Sequence, residues 1–131
     1  MLGKLGLEVI AMGPGTMTLR VPFEGNHNHV GTMYAGALFA IAEVPGGALA
    51  VQLFDPVRFY PVIKSMSVDY RRPATTDVTV EATIGPDEVS RILADAETVG
   101  KADFVMNLEV TDADGVVVMT SLGNYQLRAR R

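Results

Sequence analysis

The chain has 131 residues, of which 48% are hydrophobic and 20% charged, so it holds one domain's worth of sequence with enough apolar material for a core, and disorder is excluded. Its formal net charge is -4, from 15 acidic and 11 basic residues, which argues against a nucleic-acid protein because phosphate binding needs a Lys/Arg surplus. There is no cysteine, hence no disulfide, thiolate nucleophile or cysteine metal site, and the only histidines, His27 and His29, are too few for a histidine cage; no metal is expected.

Residues 1–8 show neither the apolar core nor the cleavage pattern of a signal peptide, so the cytoplasm is the expected compartment. Residues 5–12 and 16–23 read as two strands around the turn Gly13-Pro14-Gly15, with Met17, Leu19 and Val21 alternating against Thr16, Thr18 and Arg20. Residues 24–29 form a polar loop. Residues 34–54 then lose all strand alternation and read as a helix that is apolar on every face, which predicts burial on all sides; Pro45 should kink it or end its first half. A membrane span is disfavoured there, because Glu43 stands at mid-length and Pro45-Gly46-Gly47 would break it. The apolar run at residues 54–61 reads as loop that packs the sheet edge, with the lining of an acyl tunnel as the alternative.

The remainder reads mostly as strands. Met66, Val68 and Tyr70 mark one, Val78, Val80, Ala82 and Ile84 a second, Phe104, Met106, Leu108 and Val110 a third. Residues 86–99 fit a short helix, with Pro86 in its first turn and Gly100 as its stop. Asp112-Ala113-Asp114-Gly115 signals a hairpin and not a calcium loop, and residues 116–127 close the sheet. A curved antiparallel sheet wrapped around a buried helix accommodates this order in one domain over residues 1–131; an α+β sandwich with the helix on one face is the alternative.

Glu43 is the only charged residue between Gly31 and Phe54. Stripping water from a carboxylate costs several kcal/mol, so it must either pair with an arginine, reach an exposed edge, or face a pocket where burial would raise its pKa toward the range useful for proton transfer. The start of the same helix offers free N–H groups and a positive dipole end, with Gly31, Ala35 and Gly36 small enough for a carbonyl to approach them.

The run Asn28-His29-Val30-Gly31-Thr32-Met33-Tyr34-Ala35-Gly36-Ala37-Leu38-Phe39-Ala40-Ile41-Ala42-Glu43 resembles the signature of hotdog-fold acyl-CoA thioesterases of the phenylacetate-degradation (PaaI-like) type. Tyr70-Arg71-Arg72-Pro73-Ala74 is similar to the same family's strand ending, and the DUF4442 or YiiD C-terminal-like branch is the nearest group. The resemblance implies an α+β hotdog fold, a homodimer or homotetramer with sites at the dimer interface, and hydrolysis of an acyl-CoA thioester without metal or cofactor. Within it Asn28 and an N–H of Ala35 or Gly36 would polarise the carbonyl, and Glu43 of the partner subunit would activate or orient the attacking water, or form an anhydride as nucleophile. The family's histidine is Tyr34 here and its glycine Ala35. The family's hydroxyl position falls on Ile63, which leaves Ser65, on the same strand face, as the substitute. Two rivals stand beside this reading: a hotdog module that binds acyl-CoA without turnover, and a hydratase, which would want a histidine where Tyr34 sits.

Arg71 and Arg72 are adjacent on a strand, so they should point to opposite faces, and one of them, Arg72, is the candidate for the coenzyme's phosphates. Arg128, Arg130 and Arg131 form a basic tail, either frayed or in contact with phosphates. His27 and His29 read as plain loop residues, the alternative being that one of them caps the helix or edges the site. No nucleic-acid or membrane partner is expected.

Overall fold

The β1 strand, Glu8–Gly13, and β2, Thr16–Val21, form a hairpin around Pro14 and Gly15 in the computed structural model, which describes residues 5–131; residues 1–4 of the leader reading lie outside it. Gly15 takes φ +72, and a Cβ there would meet the Ile84 carbonyl oxygen at 2.6 Å, so the turn requires glycine. Gln52 grips the turn from the central helix: its Oε1 accepts the Gly15 N–H at 2.9 Å and its Nε2 donates to the Gly13 carbonyl at 3.0 Å.

The central helix α1 spans Ala35–Leu53 and passes through Pro45 without ending. Strand β3, Phe59–Tyr70, follows after a short turn. It starts earlier than expected, so Tyr60 and Pro61 belong to a strand and not to a loop. Proline is tolerated because β3 is an edge strand, where a missing N–H breaks no inner ladder. Strand β4, Val78–Thr83, helix α2, Pro86–Val99, and strands β5, Lys101–Thr111, and β6, Val117–Ala129, complete the chain. Helix α2 ends at Gly100 with φ 91, the left-handed stop its position predicts. Asp112 Oδ1 accepts the N–H groups of Asp114 and Val116, both at 2.9 Å, which closes the last hairpin.

The six strands form one antiparallel sheet in the order β1-β2-β4-β5-β6-β3. The sheet curves around α1, the architecture expected from the sequence. Alternation produces it: Ala102, Phe104, Met106, Leu108 and Val110 of β5 are buried while the residues between them are exposed. Strands β4 and β5 pair only through Thr79–Thr111 and Val80–Val110, and α2 packs against β5 where the two diverge. Helix α1 is long and apolar enough to cross a membrane by length and composition, yet it packs against β2 to β6, with Leu38, Ile41, Leu49 and Ala50 buried.

Burial on all sides does not hold for α1 within one chain. Phe39 is 39% exposed and Val51 53%, with Glu43 and Gly47 half-buried between them at four-residue spacing. One sheet covers one side of a helix, and this stripe is left on the other.

The helix seats on β6 through an aromatic wedge. The Tyr125 ring lies against Gly46 of the helix and Gly123 of its own strand, and stacks on Phe104 with centroids 5.3 Å apart. A Cβ on Gly46 would collide with the hydroxyl-bearing end of that ring, at Cζ, Cε1 and Cε2. In an exposed helix interior Gly→Ala gains about 1 kcal/mol; here overpacking at about 1–3 kcal/mol outweighs it. Gly46→Ala should therefore lower stability in urea unfolding, and a gain would contradict this packing.

Candidate active site

The loop before α1 is built around two asparagines. Asn26, only 3% exposed, donates through Nδ2 to the carbonyls of Leu5 at 2.7 Å and Pro22 at 2.9 Å, and its own carbonyl accepts the Tyr34 N–H at 3.0 Å. Sequence reasoning missed it; the only signal was one more asparagine in a polar loop. Asn28 organises the next turn: its Oδ1 accepts the N–H groups of Val30 at 3.0 Å and Thr32 at 3.1 Å, and its Nδ2 donates to Thr32 Oγ1 at 3.0 Å. One amide hydrogen of Asn28 is left over. Met33 N–H donates to the Ala74 carbonyl at 2.8 Å, tying the loop to the segment after β3.

This tie creates a cleft of about 390 Å³ lined by Asn28, Thr32, Ala35, Leu38, Tyr70, Arg71 and Arg72, among others. Both arginines border it, against the expectation of opposite faces. Strand β3 ends at Tyr70, and the N–H groups of Arg71 and Arg72 both donate to the Val118 carbonyl, so strand alternation no longer applies to them. At the mouth of this cleft stands the start of α1. The Ala35 and Gly36 N–H groups have no acceptor among the described residues, as expected of a helix start with no side-chain cap. The Tyr34 ring lies over Gly36, with Cε2 only 2.6 Å from where a Cβ would be. Its hydroxyl has no partner among the described residues, so the loop is braced by Asn26 and Asn28 instead.

Glu43 lies two turns further along the helix. It borders a second cleft, of about 360 Å³, with Val44, Gly47, Ala48, Pro61, Val62, Ile63 and Tyr125. Its carboxylate forms no ion pair or hydrogen bond among the described residues, so no arginine among them supplies the pairing the sequence reading allowed. Eight residues of helix separate Ala35 from Glu43, about 12 Å at 1.5 Å per residue. The two clefts are distinct, and the chain does not bring Asn28 and Glu43 together.

Ser65 is not in either cleft. A β-bulge between Ile63 and Ser65 shifts the register, so that Ile63 faces Tyr125 while Ser65 faces Asn124, and its Oγ accepts the Asn124 Nδ2 at 2.9 Å. The extra residue sends Ser65 to the far face of the sheet, and the predicted shared face with Ile63 is lost. His27 stacks on Phe23 with centroids 4.9 Å apart, and neither histidine lines the clefts. Among the described residues no three His, Asp or Glu side chains gather where they could hold a metal ion.

Tyr125, also missed, is the polar group nearest the Glu43 segment. Its hydroxyl donates to the Glu43 backbone carbonyl at 2.8 Å, and burial, then the charge of Glu43, pushes its pKa up to about 12. The folded chain thus holds this proton more tightly than the unfolded chain, where tyrosine ionises near 10. The stabilisation is full below about pH 10 and is lost as pH rises toward 12. Tyr125→Phe should cost about 1 kcal/mol at neutral pH. It should also make unfolding stability fall less steeply than wild type above about pH 10 in urea titrations. Equal slopes would contradict the assignment.

Comparison with known proteins places the chain in a family. The family model for a domain of unknown function, DUF4442, matches residues 3–125. No curated protein matches the chain. A solved structure from Pseudomonas aeruginosa, described as a protein of unknown function and probable thioesterase, is similar with 44% identity, covering 98% of this chain and 87% of its own, at a TM-score of 0.94. A thioesterase from Haemophilus influenzae is 16% identical, covering 98% of this chain and 82% of its own, at a TM-score of 0.76. A thioesterase from Staphylococcus aureus, solved as a mutant, is 17% identical over 97% of both chains at a TM-score of 0.78. Those two distant likenesses speak for the fold. With its six-stranded sheet curved around one helix and the family model matched over nearly its whole length, the chain belongs to the DUF4442 family of the hotdog-fold thioesterase superfamily.

Proposed function

We propose that the chain hydrolyses an acyl-CoA thioester to a carboxylic acid and a free thiol, in a homodimer (alone or paired into a tetramer) whose two sites lie between the copies. The observation that carries this reading is Glu43: an uncompensated carboxylate on an otherwise apolar helix, opening into a cleft whose other side chains are apolar except Tyr125. Such a group has a use if it draws a proton from water at the moment of attack. The thioester carbonyl would rest on the free N–H of Ala35 or Gly36 and the spare amide hydrogen of Asn28, where the helix dipole favours the negative charge that develops. Water adds to the carbonyl carbon and gives its proton to Glu43. Collapse of the tetrahedral intermediate breaks the C–S bond, and the thiolate takes the proton back. The balance needs no cofactor. Arg72 lines the first cleft, where in this reading it would meet a phosphate of the coenzyme.

The dimer rests on the separation of the two clefts and on the uncovered stripe of α1. A second copy laid over Phe39, Glu43, Gly47 and Val51 would bury that stripe, and the unpaired outer edge of β3 beside it offers backbone groups to a neighbour. The positions of Glu43 on one copy and Asn28 on the other could then border one cavity.

A second reading, binding without turnover, draws support from Asn28 and Tyr34. The Asn28 side chain is largely used within its own loop, and the Tyr34 ring crowds Gly36. Release of free thiol from a panel of acyl-CoAs separates the two. Turnover is expected in the wild type, and Glu43→Gln should lower it by about 100-fold or more while folding and acyl-CoA binding persist. Wild-type turnover in Glu43→Gln would remove Glu43 from the mechanism, and saturable binding with no thiol release at any chain length would establish the module instead. Val51→Glu should shift sedimentation equilibrium toward the monomer and lower thiol release in step; an active monomer would contradict the shared site.

A further inference from the structure

On the face of the sheet away from α1, at the end where β3, β5 and β6 meet, lies a cavity of about 510 Å³ that the thioesterase reading does not use. Its lining includes Tyr60, Lys101, Gln126, Arg128, Arg130 and Arg131, and no Asp or Glu side chain. Strand register builds it. Tyr60 pairs with Arg128, and Arg128 with Lys101, so one row across three strands reads Tyr-Arg-Lys on a single face. The buried Leu127 next to Arg128 shows which face that is. The tail is therefore not frayed: Arg128 lies within β6, which runs to Ala129, and the Arg130 N–H donates to the Arg58 carbonyl at 2.7 Å.

Two cations directly opposite one another on neighbouring strands repel, and the fold keeps them so in a chain with more acids than bases. The nearest acids have other direct partners, though the Lys101 charge also bears on Asp103. Asp103, one row along, accepts from Gln126 Nε2 at 2.8 Å and pairs with Lys64 at 3.6 Å, and Glu97 pairs with Arg58 at 2.8 Å. Lys101, Arg128, Arg130 and Arg131 form no ion pair among the described residues. Two of the guanidinium groups are also held. Arg128 Nε donates to Gln126 Oε1 at 2.7 Å, while Arg130 Nε donates to the Pro56 carbonyl at 2.9 Å and its guanidinium lies 5.1 Å from the Tyr60 ring centre. Anchoring through Nε leaves the terminal nitrogens of each guanidinium free for a second, forked partner.

We infer that this cavity binds a ligand carrying two or more phosphate groups. Phosphate is the anion whose paired oxygens match a guanidinium fork, and four cations around one cavity suit more than a single phosphate. The volume is in the range of small-molecule sites. Two sources share this chemistry, the phosphates of a coenzyme A molecule and a free phosphorylated compound, and the site is defined without Glu43 or Asn28, so it stands or falls apart from the hydrolase reading.

Isothermal titration at low salt tests it, with inorganic pyrophosphate as the probe. Saturable binding is expected, weakened by about tenfold or more in Lys101→Gln/Arg128→Gln. Both positions are exposed, and circular dichroism checks that the variant folds; Arg130→Gln gives a second, independent loss. Turnover of a short acyl thioester that lacks phosphates should not change in these variants. Absence of saturable pyrophosphate binding in the wild type, or equal binding in the double variant, would overturn the proposal. If coenzyme A displaces pyrophosphate from this cavity the phosphates are those of the coenzyme; if it does not while pyrophosphate binding still depends on Lys101 and Arg128, the ligand is a separate phosphorylated compound.

Discussion

A carboxylate on an apolar helix must be matched by something, and at Glu43 no side chain among the described residues matches it. Helix α1 exists because residues 35–53 are apolar enough to be worth covering, and the sheet curves because its alternating faces can cover them. That arrangement leaves a stripe running through Phe39, Glu43, Gly47 and Val51. The one charge of the helix lies on it, half-buried and free of any ion pair among the described residues. Solvent access on that side keeps the desolvation cost bearable, and the apolar surroundings keep the group from being idle surface.

The position of Glu43 depends on its neighbours on β6. Tyr125 reaches across to the Glu43 carbonyl, and Gly46 and Gly123 are small because the ring lies between them. Phe104 supports the ring from β5. The helix is thereby held at a fixed height over the sheet at the point where the carboxylate leaves it. The first cleft has an equivalent frame: Asn26 anchors the loop to the backbone near Leu5 and Pro22, and Met33 ties it to Ala74. Each half of the candidate site is thus built by its own set of contacts, and the two are separated by two turns of the same helix.

Most of this architecture was legible. The period-two alternation of Met17-Leu19-Val21 and Phe104-Met106-Leu108, the Pro86 and Gly100 bounds of α2 and the loss of alternation after Tyr34 all express local rules that the packing respects. The failures are places where position in the sheet overrides local pattern. Phe59 to Pro61 reads as loop in sequence, and an edge strand admits its proline. Simple alternation puts Ser65 on the face of Ile63, and a bulge of one residue reverses it. Arg71 and Arg72 were separated by the same rule, which lapses once β3 has ended. Tyr125 and Asn26 carried no pattern at all: one acts through a ring pressed on two glycines far apart in sequence, the other through backbone carbonyls that only the folded chain brings near. Glu43 and Asn28 were visible because a lone acid in an apolar run and an asparagine before a helix are anomalies in one dimension.

Whether Glu43 and Asn28 serve one site from two chains is tested most directly by mixing inactive partners. Glu43→Gln and Asn28→Ala chains, each purified and each severely impaired in thiol release, are unfolded together and refolded as a statistical mixture. If the site joins Glu43 of one copy to Asn28 of the other, half the dimers are hybrid, and each hybrid has one intact site and one doubly altered site. Thiol release should then return to about a quarter of the wild-type rate. A mixture no more active than its parents, with hybrid dimers demonstrated by mass, would place both residues of each site in one chain and contradict the account.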